Sequence, residues 1–348
     1  MIRFNCDYSE GAHPQVLQRL VETNMEQTAG YGEDPHCAHA AELIRSECGR
    51  PDADVHFLVG GTQANLTVIA AALRPHQGVI AAQSGHVNVH ESGAIEATGH
   101  KVLAQPCQDG KLTAEQVRQV VEDHFNDETQ EHMVQPKMVY ISHPTEVGTL
   151  YTKEELEALH QVCRQKGLYL FLDGARLGYG LTAPGTDVTM ADVAALCDVF
   201  YIGGTKVGAL LGEAVVIPNL AIQRDFRYMV KRMGGMLAKG RLLGIQFEVL
   251  FEDGLYFQLG RQAVEQARRI RDTFQDCGVE MAFDSPTNQQ FPVLTREQRE
   301  ALARKYSFNH WADLEDGRSV VRFCTSWATT PQAVEELCRD IHAICGNA

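Results

Sequence analysis

The chain has 348 residues, of which 44% are apolar and 22% charged, with 31 Lys and Arg against 45 Asp and Glu and a net charge of −14. That length sets a prior of roughly two domains and is enough to bury a large core without disulfides or metals. No apolar run approaches the ~18 residues of a membrane helix, and so acidic a surface repels phosphate backbones, which excludes membrane and nucleic acid as expected partners and leaves a small anion held by a local basic cluster.

Met1 to Asp7 holds no apolar stretch of the kind a secretory signal needs. From there short apolar runs alternate with amphipathic ones. Val55 to Val59 reads as a strand that passes through Gly60-Gly61 into a helix over Thr62 to Ala70. Gly78 to Ala82 and Lys101 to Ala104 read as strands, and Thr113 to Phe125 as a helix with Thr113 and Gln116 at capping-box spacing. Lys137 to Ser142 is a strand, Thr152-Lys153-Glu154-Glu155 opens a helix with the same cap, and strands follow at Leu168 to Asp173, Val199 to Ile202 and Ala214 to Ile217. Continuous rather than alternating apolar strands predict a sheet covered on both faces. Alternation with helices predicts an α/β layered domain with a mostly parallel sheet.

After about Pro218 the pattern changes. Helical stretches are expected from Asn219 to about Phe251 and from Leu255 to about Cys277, short strands at Val279 to Phe283, Gln290 to Leu294 and Ser319 to Cys324, and a last helix through Val334, Leu337, Cys338, Ile341 and Ile344. This predicts an N-terminal arm and large domain over 1–247 and a smaller α+β domain over 248–348. The ten cysteines are scattered, with no C-x-x-C, and read as reduced, mostly buried thiols of a cytoplasmic protein.

Four segments carry chemistry. Asp173, at the end of a buried strand and three residues before Arg176, stands where open α/β sheets bind ligands, although a strand-end Asp also caps turns. Lys206 lies in the glycine-flanked loop Gly203-Gly204-Thr205-Lys206-Val207-Gly208; it is either an exposed loop lysine or a confined amine whose pKa falls on desolvation, as imine chemistry requires. No G-x-x-x-x-G-K-[ST] is present. Gly60-Gly61-Thr62-Gln63-Ala64-Asn65 is either a plain turn capped by Thr62 or a phosphate cup at a helix start. His86 and His90 stand four apart beside Glu91, a spacing open to zinc but without a third ligand in view, and equally suited to stacking on a planar ring. Gly178-Tyr179-Gly180-Leu181-Thr182-Ala183 resembles a dinucleotide fingerprint, but no strand adjoins its first glycine.

An amine, an acid and a phosphate cup together are the parts of a pyridoxal phosphate site. No metal is assigned. At this point the sequence resembles the threonine aldolases among the fold-type-I pyridoxal phosphate enzymes, over nearly its whole length. The resemblance rests on Asp34 after Gly30-Tyr31-Gly32, on the Gly60 to Asn65 run, on His86 with Glu91-Ser92-Gly93, on Leu172-Asp173-Gly174-Ala175-Arg176, on Thr205-Lys206-Val207-Gly208 and on Val321-Arg322. The nearest branch carries Asn5-Cys6-Asp7-Tyr8-Ser9-Glu10-Gly11 and Ser142-His143-Pro144-Thr145-Glu146-Val147-Gly148-Thr149.

The resemblance implies a fold-type-I large domain and retro-aldol cleavage of L-threonine or L-allo-threonine to glycine and an aldehyde. It implies that Lys206 holds the cofactor as a Schiff base, Asp173 pairs with the pyridine nitrogen, Arg176 lies near the phenolic oxygen, Gly61 and Thr62 bind the phosphate, and His86 stacks on the ring. Arg322, Tyr31 and Ser9 would bind the substrate, Arg322 through its planar fork. A homotetramer with sites at subunit interfaces is also implied, with Lys231 or Arg232 reaching a neighbour's phosphate. Glu146 stands where many members have a second histidine, which leaves the base open among His86, Glu91, Glu146 and a water, with His86 favoured. The same scaffold supports β-elimination and transamination. Outside it, the rivals are a zinc hydrolase on His86, His90 and Glu91 and a non-catalytic binding protein.

Overall fold

A strand with consecutive apolar residues needs partners on both faces, and Tyr169–Asp173 has them. Leu170 and Leu172 enter one core with Val139, Ile141, Phe200 and Ile202; Phe171 enters the opposite core with Met138, Tyr140, Val199 and Tyr201. In the computed structural model, which describes residues 1–346, this strand is central to a seven-stranded sheet. The order is Asp54–Leu58, Glu213–Ile217, Val199–Gly203, Tyr169–Asp173, Gln135–Ser142, Gln77–Ala82, Val102–Gln105. Glu213–Ile217 runs antiparallel to both neighbours and every other pairing is parallel. The α/β fold with a mostly parallel sheet is the one observed.

Helices cover both faces. Ala114–Asn126 and Lys153–Lys166 open with the capping boxes their sequences predict, Thr113 with Gln116 and Thr152 with Glu155. Each cap satisfies backbone donors that otherwise lack partners and contributes about 1 kcal/mol.

Several elements differ from expectation. Pro14–Glu22 and Pro35–Cys48 are helices that the periodicity did not single out. The long helix expected from Asn219 is three: Leu220–Gln223, Phe226–Arg232 and Arg241–Glu252. Asp225 (φ 60°) and Gly234 (φ 73°) take left-handed backbone at the two breaks, which ends one helix and redirects the next. Val279 to Phe283 forms no strand beyond a bridge from Met281 to Pro292, and the run from Gln290 splits into Gln289–Gln290 and Val293–Leu294 around Pro292, which has no N–H to give a ladder.

The C-terminal elements make a second, antiparallel sheet in which Ser319–Cys324 pairs with Val293–Leu294, Asn309–Asp313 and Gln289–Gln290. Pro331–Cys345 packs on it through Val334, Leu337 and Ile341, in a separate core with Ile270 and Phe274. Phe4 belongs to this core, and Ile2–Arg3 pairs with Tyr306–Ser307, so the opening arm is held by the C-terminal elements. The expected division at 247/248 falls inside the helix Arg241–Glu252; the change of core occurs instead within Leu255–Asp276, between Val264 and Ile270. A continuous helix carries no linker signal in its composition.

Candidate active site

The parallel strands end on one edge of the sheet, the edge where such folds bind ligands. Gly60 and Gly61 follow Asp54–Leu58, His86 follows Gln77–Ala82, Glu146 follows Gln135–Ser142, Asp173 closes its strand and Lys206 follows Val199–Gly203. Glu213 opens the antiparallel strand at the same edge. All of them line one cavity of about 290 Å³, together with Thr62, Tyr8, Arg176 and Tyr201.

Close backbone crossing brings the amine to the acid. Gly203 N–H donates to the Gly174 carbonyl at 2.9 Å. A Cβ on Gly174 would stand 2.0 Å from the Tyr201 carbonyl oxygen, and one on Gly203 would stand 2.2 Å from that of Ala175. Only glycine fits at either place.

Asp173 is buried and fully bonded. Its Oδ2 accepts from the Tyr140 hydroxyl at 2.5 Å and from Asn65 Nδ2 at 3.2 Å, and its Oδ1 accepts from the Ala175 N–H at 3.0 Å. Tyr140 can reach it because alternation puts residues 140 and 173 on the same face of adjacent strands. Lys206 lies deep in the cavity; burial and the Arg176 guanidinium lower its pKa, partly offset by Asp7, Asp173 and Glu213. Glu213 accepts from the Gly204 N–H at 3.1 Å, and burial raises its carboxyl well above the usual range.

Asp7 is fully buried, and Arg176 donates to it from Nε at 2.7 Å and from its terminal nitrogen at 3.1 Å. Asn288 Nδ2 donates to the same carboxylate at 2.9 Å. Burial works to raise the Asp7 pKa, but the Arg176 and Lys206 charges and these bonds prevail and bring it to about 2.

His86 Nδ1 meets Glu91 Oε1 at 2.6 Å, and Asn65 Nδ2 donates to that oxygen at 2.9 Å, which links the imidazole to Asp173 through two side chains. Burial opposes protonation of His86, but the Glu91 bond and the Asp173 charge outweigh it, so its pKa is raised. Glu146 Oε1 accepts from the His86 N–H at 2.9 Å and from Ser142 Oγ at 2.7 Å; burial nevertheless raises its pKa. His143 faces away, buried against Tyr151, and burial lowers it to about 4.

The helix Gly61–Ala72 begins at Gly61, not at Thr62, and its cap residue Gly60 has no side chain to offer, so its first N–H groups are free for a ligand. With the Lys206 amine, the Asp173 carboxylate and the His86 ring in the same cavity, this donor set fits pyridoxal phosphate: an amine for its aldehyde, an acid for its ring nitrogen, a flat ring for its face and a helix start for its phosphate.

Other expected residues lie elsewhere. Tyr31, 47% exposed, lines a different cavity of about 240 Å³. Arg322 donates to Gln289 Oε1 at 3.0 Å and to the Asn5 carbonyl at 3.2 Å and is not in the cavity wall. Ser9 meets Cys6 Sγ at 3.2 Å, also outside the wall. Lys231 and Arg232 end the helix Phe226–Arg232, and Lys231 Nζ stands 5.0 Å from the Tyr31 ring centre. His86, His90 and Glu91 do not converge as a three-ligand set, which removes the basis for a zinc hydrolase there. Asp7, Asn65, Tyr140 and Glu213 were not assigned roles from sequence.

This sheet, and this grouping of lysine and aspartate at its edge, define a fold-type-I pyridoxal phosphate enzyme. The fold matches aspartate aminotransferase from Thermus thermophilus with a TM-score of 0.72 at 16% identity, covering 99% of this chain and 91% of that one. A family model described as beta-eliminating lyase matches residues 6–297. The chain is 31% identical to the low specificity L-threonine aldolase of Pseudomonas aeruginosa over 99% of its own length and 98% of that protein's. It superposes on a threonine aldolase structure from Leishmania major with a TM-score of 0.96 at 47% identity, covering 99% of this chain and 100% of that one. The chain belongs to the beta-eliminating lyase family, among its threonine aldolases.

Proposed function

We propose that the protein is a lyase that cleaves L-threonine or L-allo-threonine to glycine and acetaldehyde with pyridoxal phosphate. The observation that carries this reading is the placement of Lys206 and Asp173 in one cavity, beside an uncapped helix start. Bound there, pyridoxal phosphate supplies a carbonyl carbon for amines and an electron-withdrawing ring in conjugation with the substrate α-carbon.

In this reading Lys206 would hold the cofactor, its lowered pKa keeping the amine neutral and nucleophilic toward an aldehyde. Asp173, fixed by Tyr140, Asn65 and the Ala175 N–H, would hold a proton at the pyridine nitrogen. His86 would lie against the ring, Gly61 and Thr62 would take the phosphate at the uncapped helix start, and Arg176 would stand near the phenolic oxygen. His86 Nε2 takes the β-hydroxyl proton, directly or through a water, because Nδ1 is anchored by Glu91. Glu146 is the weaker candidate, its Oε1 already accepting two bonds. Arg322 turns from Gln289 and Asn5 to grip the substrate carboxylate, with Ser9 beside it.

We place the protein in the cytoplasm as a homotetramer. Tyr31 then completes a neighbour's pocket, and Lys231 or Arg232 reaches a neighbour's phosphate; Arg176 and Lys206 are the cationic side chains this chain's own cavity wall offers. Incubation with threonine is the test. Acetaldehyde and glycine are expected; ammonia with a keto acid would mean β-elimination, and conversion of the cofactor to its amine form would mean transamination.

A further inference from the structure

Asn65 is fully buried on the helix Gly61–Ala72, among Ala64, Val68 and Ile69 of the core. A polar side chain in such surroundings is kept for the bonds it makes. Asn65 makes two, both from Nδ2: one to Glu91 Oε1 at 2.9 Å and one to Asp173 Oδ2 at 3.2 Å. Chemistry fixes which way round the amide points. Exchanging its oxygen and nitrogen would set an acceptor against two carboxylate oxygens, and Oδ1 as it stands accepts from no donor among the described residues. Gly61 lies four residues earlier on the same helix face, so one helix carries both the free N–H groups of its first turn and this amide.

The two acids are themselves buried, each only 5% exposed. Both reach one nitrogen, so their oxygens are neighbours, and two unshielded carboxylates that close do not both stay ionised. The two hydrogens of one amide, one for each acid, remove that conflict. We propose that Asn65 is a positioning residue that keeps Asp173 and Glu91 ionised side by side and so ties the charge on His86 to the charge on Asp173.

Both acids favour the protonated imidazole, Glu91 through its bond to Nδ1 at 2.6 Å and Asp173 through space. Two further groups face His86. Lys206 opposes its protonation, and the His90 ring centre stands 5.5 Å away. Glu146 accepts from its backbone N–H rather than from the ring. A proton taken up by either acid therefore weakens the hold of His86 on its own. The use of this coupling in catalysis rests on the reading of Asp173 as the acid for the ring nitrogen and of His86 as the base; the coupling itself does not.

The experiment compares the wild type with Asn65→Leu and Asn65→Ser, all loaded with pyridoxal phosphate. Leucine keeps the approximate volume and gives up both N–H bonds; serine keeps one donor. The ionisation midpoint of His86 is read from hydrogen–deuterium exchange at its imidazole C2 against pH, by mass spectrometry of the peptide that contains it, with His90 resolved by fragmentation. Once the shared donor is gone, one carboxylate takes up a proton. The His86 midpoint is then expected to fall by about one pH unit or more in Asn65→Leu, a change of about tenfold or more in its ionisation constant, and by a smaller amount in Asn65→Ser. A lower Tm with an unmoved midpoint would reduce Asn65 to packing and overturn the proposal; if Asn65→Leu does not fold, Asn65→Ser decides in the same way. The acidic limb of kcat/KM for threonine, measured beside it, tests the base separately. A midpoint that falls while the limb stays supports the coupling and removes His86 as the base.

Discussion

Arg176, in the wall of the cavity, forms a bidentate ion pair with the buried Asp7 at 2.7 and 3.1 Å, although 169 residues separate them. The arm that carries Asp7 is anchored by the C-terminal sheet: Cys324 N–H donates to the Phe4 carbonyl at 2.7 Å, and Arg322 donates to the Asn5 carbonyl. One short segment therefore sets the positions of two arginines, Arg176 in the turn after Tyr169–Asp173 and Arg322 in the strand Ser319–Cys324.

Asp7→Asn leaves Arg176 buried without its counter-ion, a loss of about 3–5 kcal/mol. Asp7 also raises the Lys206 pKa, so its loss lowers that pKa further. The expected outcomes are a lower Tm and a pH midpoint of the imine absorbance moved toward acid. The pKa of Asp7 falls from 3.8 to about 2 on folding, so its contribution is complete above pH 3.8 and disappears as pH drops through 2. Acid unfolding of the wild type should show that loss and D7N should not; D7E serves as the milder variant. Equal acid profiles would refute this role.

Glu91→Gln removes the carboxylate charge and weakens the bond that together hold the His86 pKa up. A base works in its neutral form, so lowering that pKa keeps it active at lower pH. The acidic limb of kcat/KM for threonine is expected to move to lower pH, with a reduced plateau because Gln orients the ring less firmly. A limb that stays in place would assign the base elsewhere, with Glu146 next to be tested.

Tyr140→Phe takes one donor from Asp173 Oδ2 and leaves Asn65 alone on it. A buried bond to a charged group contributes about 1.5–3 kcal/mol, which corresponds to roughly tenfold or more in an equilibrium constant. Cofactor affinity, measured by dialysis and absorbance, should fall by that factor while the far-ultraviolet spectrum stays unchanged.

Much of this was legible in the sequence because it is local. Each strand of the central sheet was marked by an apolar run, and two helices by their caps. Asp173, Lys206 and the Gly60-Gly61 turn were marked by chemistry in glycine-bounded loops at strand ends. What was missed is long-range. Tyr140 looks like one more apolar strand residue until register sets residue 142 opposite Asp173. Asp7 meets Arg176 across the fold, and nothing within seven residues of either announces it. Glu213 did leave a signal, a lone charge opening an otherwise apolar strand. The long helix expected after Pro218 is three helices because the backbone turns left-handed at Asp225 and Gly234, breaks that an apolar pattern does not reveal.

The central claim is that Lys206 carries the cofactor, and the absorbance spectrum of the purified protein beside Lys206→Ala tests it most directly. The wild type should show an imine band that borohydride reduces to a stable adduct on the peptide containing Lys206, and the variant should show neither. An intact band in the variant, or an adduct on another lysine, would contradict the account.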